Sequence, residues 1–166
     1  VDFATFSSHK FHGVRGVGFV YIKSGKKITP LLTGGGQEHD YRSTTENVAG
    51  IAATAKALRL SMEKLDIFTS KTGQMKAVIR QALRDYPDIF VFSDEEDFAP
   101  HILTFGIKGV RGEVIVHAFE DYDIFISTTS ACSSKAGKPA GTLIAMGVDK
   151  DKAQSAAVSY THLRAH

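Results

Sequence analysis

From Val48 to Leu65 the residues Val48, Ile51, Ala52, Ala55, Leu58, Met62 and Leu65 recur at intervals close to three and four. That period gathers them on one face of an α-helix, whereas a half-buried strand would alternate every second residue. Ser43 and Glu46 stand three apart just ahead of the run, the spacing of a capping box, so one long helix is expected from about Thr45 to Leu65. A second helix is expected over roughly 72–86, with Met75, Val78, Ile79, Ala82 and Leu83 on its apolar face and Pro87 ending it.

Short runs of β-branched and aromatic residues surround these helices. The chain opens in a strand-like segment, and "VGFVYI" (17–22) reads as a buried strand. "DIFVFS" (88–93), "HILTFGI" (101–107) and "DIFIST" (123–128) read as further strands, with "GEVIVHAFED" (112–121) as a helix among them. The apolar cores of these three strands, near 89–92, 102–107 and 124–127, need a common buried face and are expected to share one sheet. Two short helices are expected at about 140–146 and 150–157. Helices and strands interleaved in this way predict an α/β fold.

Composition mainly removes possibilities. Twenty basic and eighteen acidic residues leave a net charge of +2, which gives no reason to expect direct contact with nucleic acid. No apolar run approaches the length of a membrane span. Cys132 is the only cysteine, so neither an intrachain disulfide nor a thiolate zinc cluster can form, and a reducing, cytoplasmic setting is expected. The histidines are scattered, and no metal site is expected. The first residue is Val1, inside a strand pattern, and the chain reads as part of a longer protein.

Two stretches carry reactive groups. In "TFSSHKFHGVRGVGF" an apolar segment delivers Ser7, Ser8, His9 and Lys10 to a turn punctuated by Gly13, Gly16 and Gly18. A lysine here is either an ordinary solvated charge or a partly desolvated amine able to form a Schiff base. The neighbouring hydroxyls and imidazole could hydrogen-bond a phosphate, and amine plus phosphate cradle is the pairing pyridoxal phosphate (PLP) requires. The glycines match neither a dinucleotide fingerprint nor a Walker loop. In "STTSACSSKAGKPAG" the single cysteine lies in loop composition beside Lys135 and Lys138, where a thiolate could form; the alternative is an inert, buried thiol.

Taken in order, "SSHKFHGVRGVGFVYI", "GGGQE", "RSTTENVAGIAA" and "SACSS" resemble the cysteine desulfurases of the fold-type I, class V aminotransferase group, from Val1 to about Ala157. The resemblance implies that Lys10 carries PLP and that Ser7 and His9 bind its phosphate. It implies that Thr45 reaches the phosphate of the neighbouring subunit's cofactor, making a homodimer. Cys132 becomes the nucleophile that takes sulfur from L-cysteine as a persulfide and releases alanine. The "STTSACSS" loop resembles the branch with a long mobile loop that passes sulfur to an acceptor protein, for iron–sulfur assembly or tRNA thiolation. Residues 1–65 would end the large PLP domain, 66–157 would form a small C-terminal domain carrying the cysteine loop, and 158–166 would be a tail outside the fold. The family's carboxylate-binding arginine, due near Ala157 and Val158, has no match here, and that role is not given to Arg164. The alternatives are a related aminotransferase or lyase that needs no nucleophilic cysteine, and a catalytically inert fragment.

Overall fold

A computed structural model describes residues 1–93, 98–128 and 140–160. The chain divides into two compact units, Val1–Leu65 and a second beginning at Asp66.

In the first unit β1 (Phe3–Ser7) pairs antiparallel with β2 (Gly18–Ile22), in register from Phe3 opposite Ile22 to Ser7 opposite Gly18. The Phe6 and Phe19 rings stack at 4.7 Å across this pair. A 3-10 turn, Ser8–Phe11, joins directly to β1, and α1 (Val48–Glu63) packs against it. The β2 strand forms where "VGFVYI" predicts, but Phe19, Val20 and Tyr21 are exposed, so the expectation of a buried strand is not met. Two strands alone have no second layer to bury their faces.

The helix also starts later than the Ser43–Glu46 spacing predicts. Asn47 is the N-cap, its side chain accepting a hydrogen bond from the Gly50 amide at 3.0 Å. Ser43 is held outside the helix, its amide donating to the Leu32 carbonyl at 3.0 Å. The inward face of α1 is likewise not the apolar one. Gly50 and Thr54 are buried and Ala53, Ala57 and Ser61 partly so, while Val48, Ile51, Leu58, Met62 and Leu65 stay exposed. One residue is about 100° of helix, and the small residues win the inward face because only they let the turn approach closely.

All of α2 (Leu65–Leu83) but its first residue belongs to the second unit, and the helix begins directly after Lys64 rather than near residue 72. Its inward positions are again polar or small: Thr72 is fully buried, and Lys76 donates to the Ala99 carbonyl at 3.3 Å. Met75, Val78 and Ile79, expected on the buried face, are exposed. Then follow β3 (Ile89–Val91), β4 (Ile102–Ile107), α3 (Gly112–Glu120), β5 (Ser127–Thr128), α4 (Gly141–Ala145), α5 (Lys150–Gln154) and β6 (Ala156–Tyr160). The sheet is antiparallel throughout, in the order β3-β4-β6-β5, so the three expected strands do share it.

Only the last two residues of "DIFIST" pair, as β5. Asp123 takes a left-handed conformation (φ 58°) and the Ile124 amide bonds back to the Phe119 carbonyl, so this stretch closes α3 instead of extending the strand. A tail beginning at 158 is also not what forms. Val158 and Ser159 lie in β6, opposite Thr104 and Leu103 of β4. Alternation along β6 sends Ala157 into a cluster with Leu103, Phe105 and Ile115, and Ala156 into another with Ala140, Leu143 and Ala153. The sheet thus buries both faces, which is why these residues are apolar and small. The structure is the α/β arrangement the sequence predicts.

Candidate functional site

The reactive cluster sits where β1 runs out. Pairing stops at Ser7, the Ser8 amide donates to the Val17 carbonyl at 3.0 Å, and the chain coils into the 3-10 turn. The Ser8 carbonyl accepts from the His12 and Gly13 amides, and His12 closes the turn in the left-handed region at φ 66°. This winding sorts the four neighbours: Ser8 is turned wholly inward, and Ser7, His9 and Lys10 face outward. Gly13 is required by the close approach, since a Cβ there would collide with Ser8 Oγ. A Cβ on Gly18 would likewise strike the Phe6 carbonyl oxygen across the strand pair. Two of the three glycines are therefore explained by contact, and not by a phosphate loop.

Ser7 makes no capping hydrogen bond, and neither the His9 nor the Lys10 side chain has a hydrogen bond or ion pair among the described residues. Their donors are uncommitted. Ser8 is the opposite: its hydroxyl lies 3.0 Å from Thr54 Oγ1 on α1, with both residues buried. Ser61 Oγ donates to the Phe11 carbonyl at 3.3 Å, so α1 holds the turn at two points. Sequence reading named Ser8 only as one of the hydroxyls beside Lys10, without its inward role, and did not single out Thr54 or Ser61. Their partners are 46 and 50 residues away, and the only local signal is hydroxyls at i and i+7 on one helical face.

Thr45 is exposed in the irregular stretch before α1, with no side-chain partner among the described residues, and the structure does not join it to Lys10. Cys132, Lys135 and Lys138 lie outside the described residues. Among the described residues no group of three or more His, Cys, Asp or Glu could hold a metal ion, and no helix is long and apolar enough to cross a membrane.

The donor set at the turn fits PLP in kind. Lys10 offers a primary amine for an aldehyde, and Ser7 and His9 offer O–H and N–H donors for phosphate oxygens on either side of Ser8. Ser8 is unsuited to that duty because its hydroxyl is already engaged in the interior.

Comparison with known proteins agrees. A family model described as aminotransferase class-V matches residues 1–158. A NifS/IcsS protein homolog of Lactobacillus delbrueckii subsp. bulgaricus is 52% identical over 147 residues, covering 88% of this chain and 38% of that protein. Cysteine desulfurase IscS of Dictyoglomus turgidum is 36% identical over 149 residues, covering 89% and 38%. Among solved structures, a NifS-like protein superposes with a TM-score of 0.78 at 34% identity, over 97% of this chain and 41% of that one. A NifS-like protein from Rickettsia africae gives 0.79 at 27%, over 97% and 42%. The chain thus spans about two-fifths of the length of these relatives. With the family model covering nearly its whole length and a turn whose free donors suit the cofactor, the chain belongs to the class-V aminotransferase family, whose cysteine desulfurase members depend on pyridoxal phosphate.

Proposed function

We propose that this chain is part of a cysteine desulfurase that converts L-cysteine to L-alanine and moves the sulfur to Cys132. The observation that carries the reading is the outward-facing trio Ser7, His9 and Lys10, whose side chains have no hydrogen-bond or ion-pair partner among the described residues while Ser8 between them is locked inward. The relatives named as cysteine desulfurases add support. Residues 1–65 would complete a large cofactor domain, and the unit from Asp66 would carry the Cys132 loop.

In this reading Lys10 would hold the cofactor through its side-chain amine, and Ser7 and His9 would donate to its phosphate. Thr45 would serve the cofactor of the other subunit in a homodimer. Bound there, the cofactor supplies an electron sink for charge developing at the substrate's Cα and Cβ. The Cys132 thiolate attacks the substrate's Sγ. An S–S bond forms, the Cβ–Sγ bond breaks with its electron pair left on Cβ, and a proton completes the methyl group of alanine. A thiolate of an acceptor protein, an iron–sulfur scaffold or a tRNA-thiolation protein, then attacks the outer sulfur of the persulfide. A new S–S bond forms on the acceptor, the bond to Cys132 Sγ breaks, and the Cys132 thiolate leaves, as in thiol–disulfide exchange. A single cysteine kept as a free thiol suits a reducing, cytoplasmic setting.

The test is a pair of variants in the full-length protein. Lys10→Ala should lower alanine formation by on the order of 10³-fold or more and abolish borohydride-trapped cofactor. Cys132→Ala should keep the trapped cofactor and lose alanine release and the extra sulfur on the Cys132 peptide. Unchanged alanine production by Cys132→Ala would remove the desulfurase reading and leave a related aminotransferase or lyase.

A further inference from the structure

We propose that Thr54 and Ser61 of α1 are positioning residues for Lys10, acting through the turn that carries it. The inference rests on Lys10 being the cofactor lysine. Gly50, Thr54 and Ser61 are four and seven residues apart, so all three lie within about 40° on one helix face. Each meets the β1-to-β2 connection: a Cβ on Gly50 would come within 2.6 Å of Val17 Cγ2, Thr54 reaches Ser8, and Ser61 reaches the Phe11 carbonyl. The anchors fall two residues before Lys10 and one residue after it.

The hydroxyl protons fix the direction of the network. Thr54 Oγ1 is 2.8 Å from the Gly50 carbonyl and 3.0 Å from Ser8 Oγ. Thr54 has one proton, and the carbonyl can only accept, so Thr54 donates to Gly50 and Ser8 donates to Thr54. The Ser8 hydroxyl is fully buried, and the oxygen of Thr54 is the acceptor that satisfies it. Without that oxygen the Ser8 side chain must find water or move, and any movement of Ser8 reorients Ser7, His9 and Lys10 together. Among the described residues the Lys10 side chain has no hydrogen bond or ion pair of its own to resist this. Displacement of a reacting group by about 1 Å can cost about 10²-fold in rate.

The experiment uses the full-length protein and follows cofactor capture at Lys10 by absorbance titration, with borohydride trapping and peptide mass to locate the label. Thr54→Val, which keeps the volume and removes the acceptor, should raise the apparent cofactor Kd about tenfold and slow capture, the effect of stranding one buried hydroxyl. Thr54→Ser should restore capture to within about twofold, since the oxygen returns. Ser8→Ala should add almost nothing in the Thr54→Val background, because the two hydroxyls act as one unit. A purely structural role would lower the melting point of the cofactor-free protein without changing capture by the folded fraction. Capture by Thr54→Val at wild-type affinity and rate would overturn the proposal. If Thr54→Val does not fold, Ser61→Ala at its half-buried site decides: about a threefold rise in Kd is expected, and no change overturns the proposal. A label found on another lysine in the wild type would instead sink the assignment of Lys10, and this inference with it.

Discussion

Ser7, Ser8, His9 and Lys10 show how much of a site single residues reveal. Their chemistry was legible because it is contiguous: an amine, an imidazole and hydroxyls within four positions need no tertiary information to be noticed. The division of labour between Ser7 and Ser8 was not legible. It is set by a helix 46 residues away, through the bond between Thr54 and Ser8. Gly13 belongs to the same interior. A methyl group there would collide with Ser8 Oγ and lie 3.0 Å from the Ser8 carbonyl oxygen, with backbone on one side and a hydrogen-bonded hydroxyl on the other. Gly13→Ala should therefore destabilise the first unit by about 1–3 kcal/mol, as overpacking does. Gly16 provides the contrast, with φ at 79° and nothing within 4 Å of its virtual Cβ. Gly16→Ala should cost about 1 kcal/mol from backbone strain alone. Denaturant unfolding of the two variants checks both magnitudes. Equal costs would show that the Ser8 contact gives way easily.

At the scale of elements, periodicity located α1 and α2 but chose the wrong faces. A hydrophobic pattern reports where the largest apolar side chains lie; it cannot report that a turn needs small residues in order to dock. Gly50, Thr54 and Ser61 meet that need on α1, while Leu58 and Met62 remain exposed. Short motifs misled in a similar way at the helix start. Ser43 and Glu46 have capping-box spacing, yet the Ser43 amide is bonded to Leu32, and Asn47 caps the Gly50 amide instead. Asn47→Ala should destabilise the first turn of α1 by about 1 kcal/mol. Ser43→Ala should leave that turn unchanged, because its side chain plays no part in the cap. Hydrogen exchange at the Gly50 amide separates the two: faster exchange is expected only in Asn47→Ala. Acceleration in Ser43→Ala would restore the capping box.

At the scale of the whole molecule, the α/β class followed from the interleaving of strand and helix patterns, but the most consequential strand of the second unit was missed. "AAVSY" carries little β-branched or aromatic weight, and its place is set by neighbours far away in sequence. It forms β6, which lies between β4 and β5 and contributes Ala156, Ala157 and Val158 to the interior, with Ala157 completely buried. Five residues of β6 pair with β4 and two with β5, and β5 has no other partner among the described residues of the sheet. Small side chains fit because helices cover both faces there: a Cβ on Gly112 of α3 would lie 2.5 Å from the Ala156 carbonyl oxygen. Removing β6 would strand β5, open one edge of β4 and break both apolar clusters at once. Ladder bonds contribute about 1 kcal/mol each and a domain is stable by only about 5–15 kcal/mol. A version ending at Tyr160 should therefore keep the cooperative unfolding of the second unit, whereas one ending at Ser155 should lose it and expose the Leu103 and Phe105 face. Near-ultraviolet circular dichroism and dye binding distinguish the two. A cooperative transition in the version ending at Ser155 would show that β3 and β4 with their helices hold the unit without its central strand.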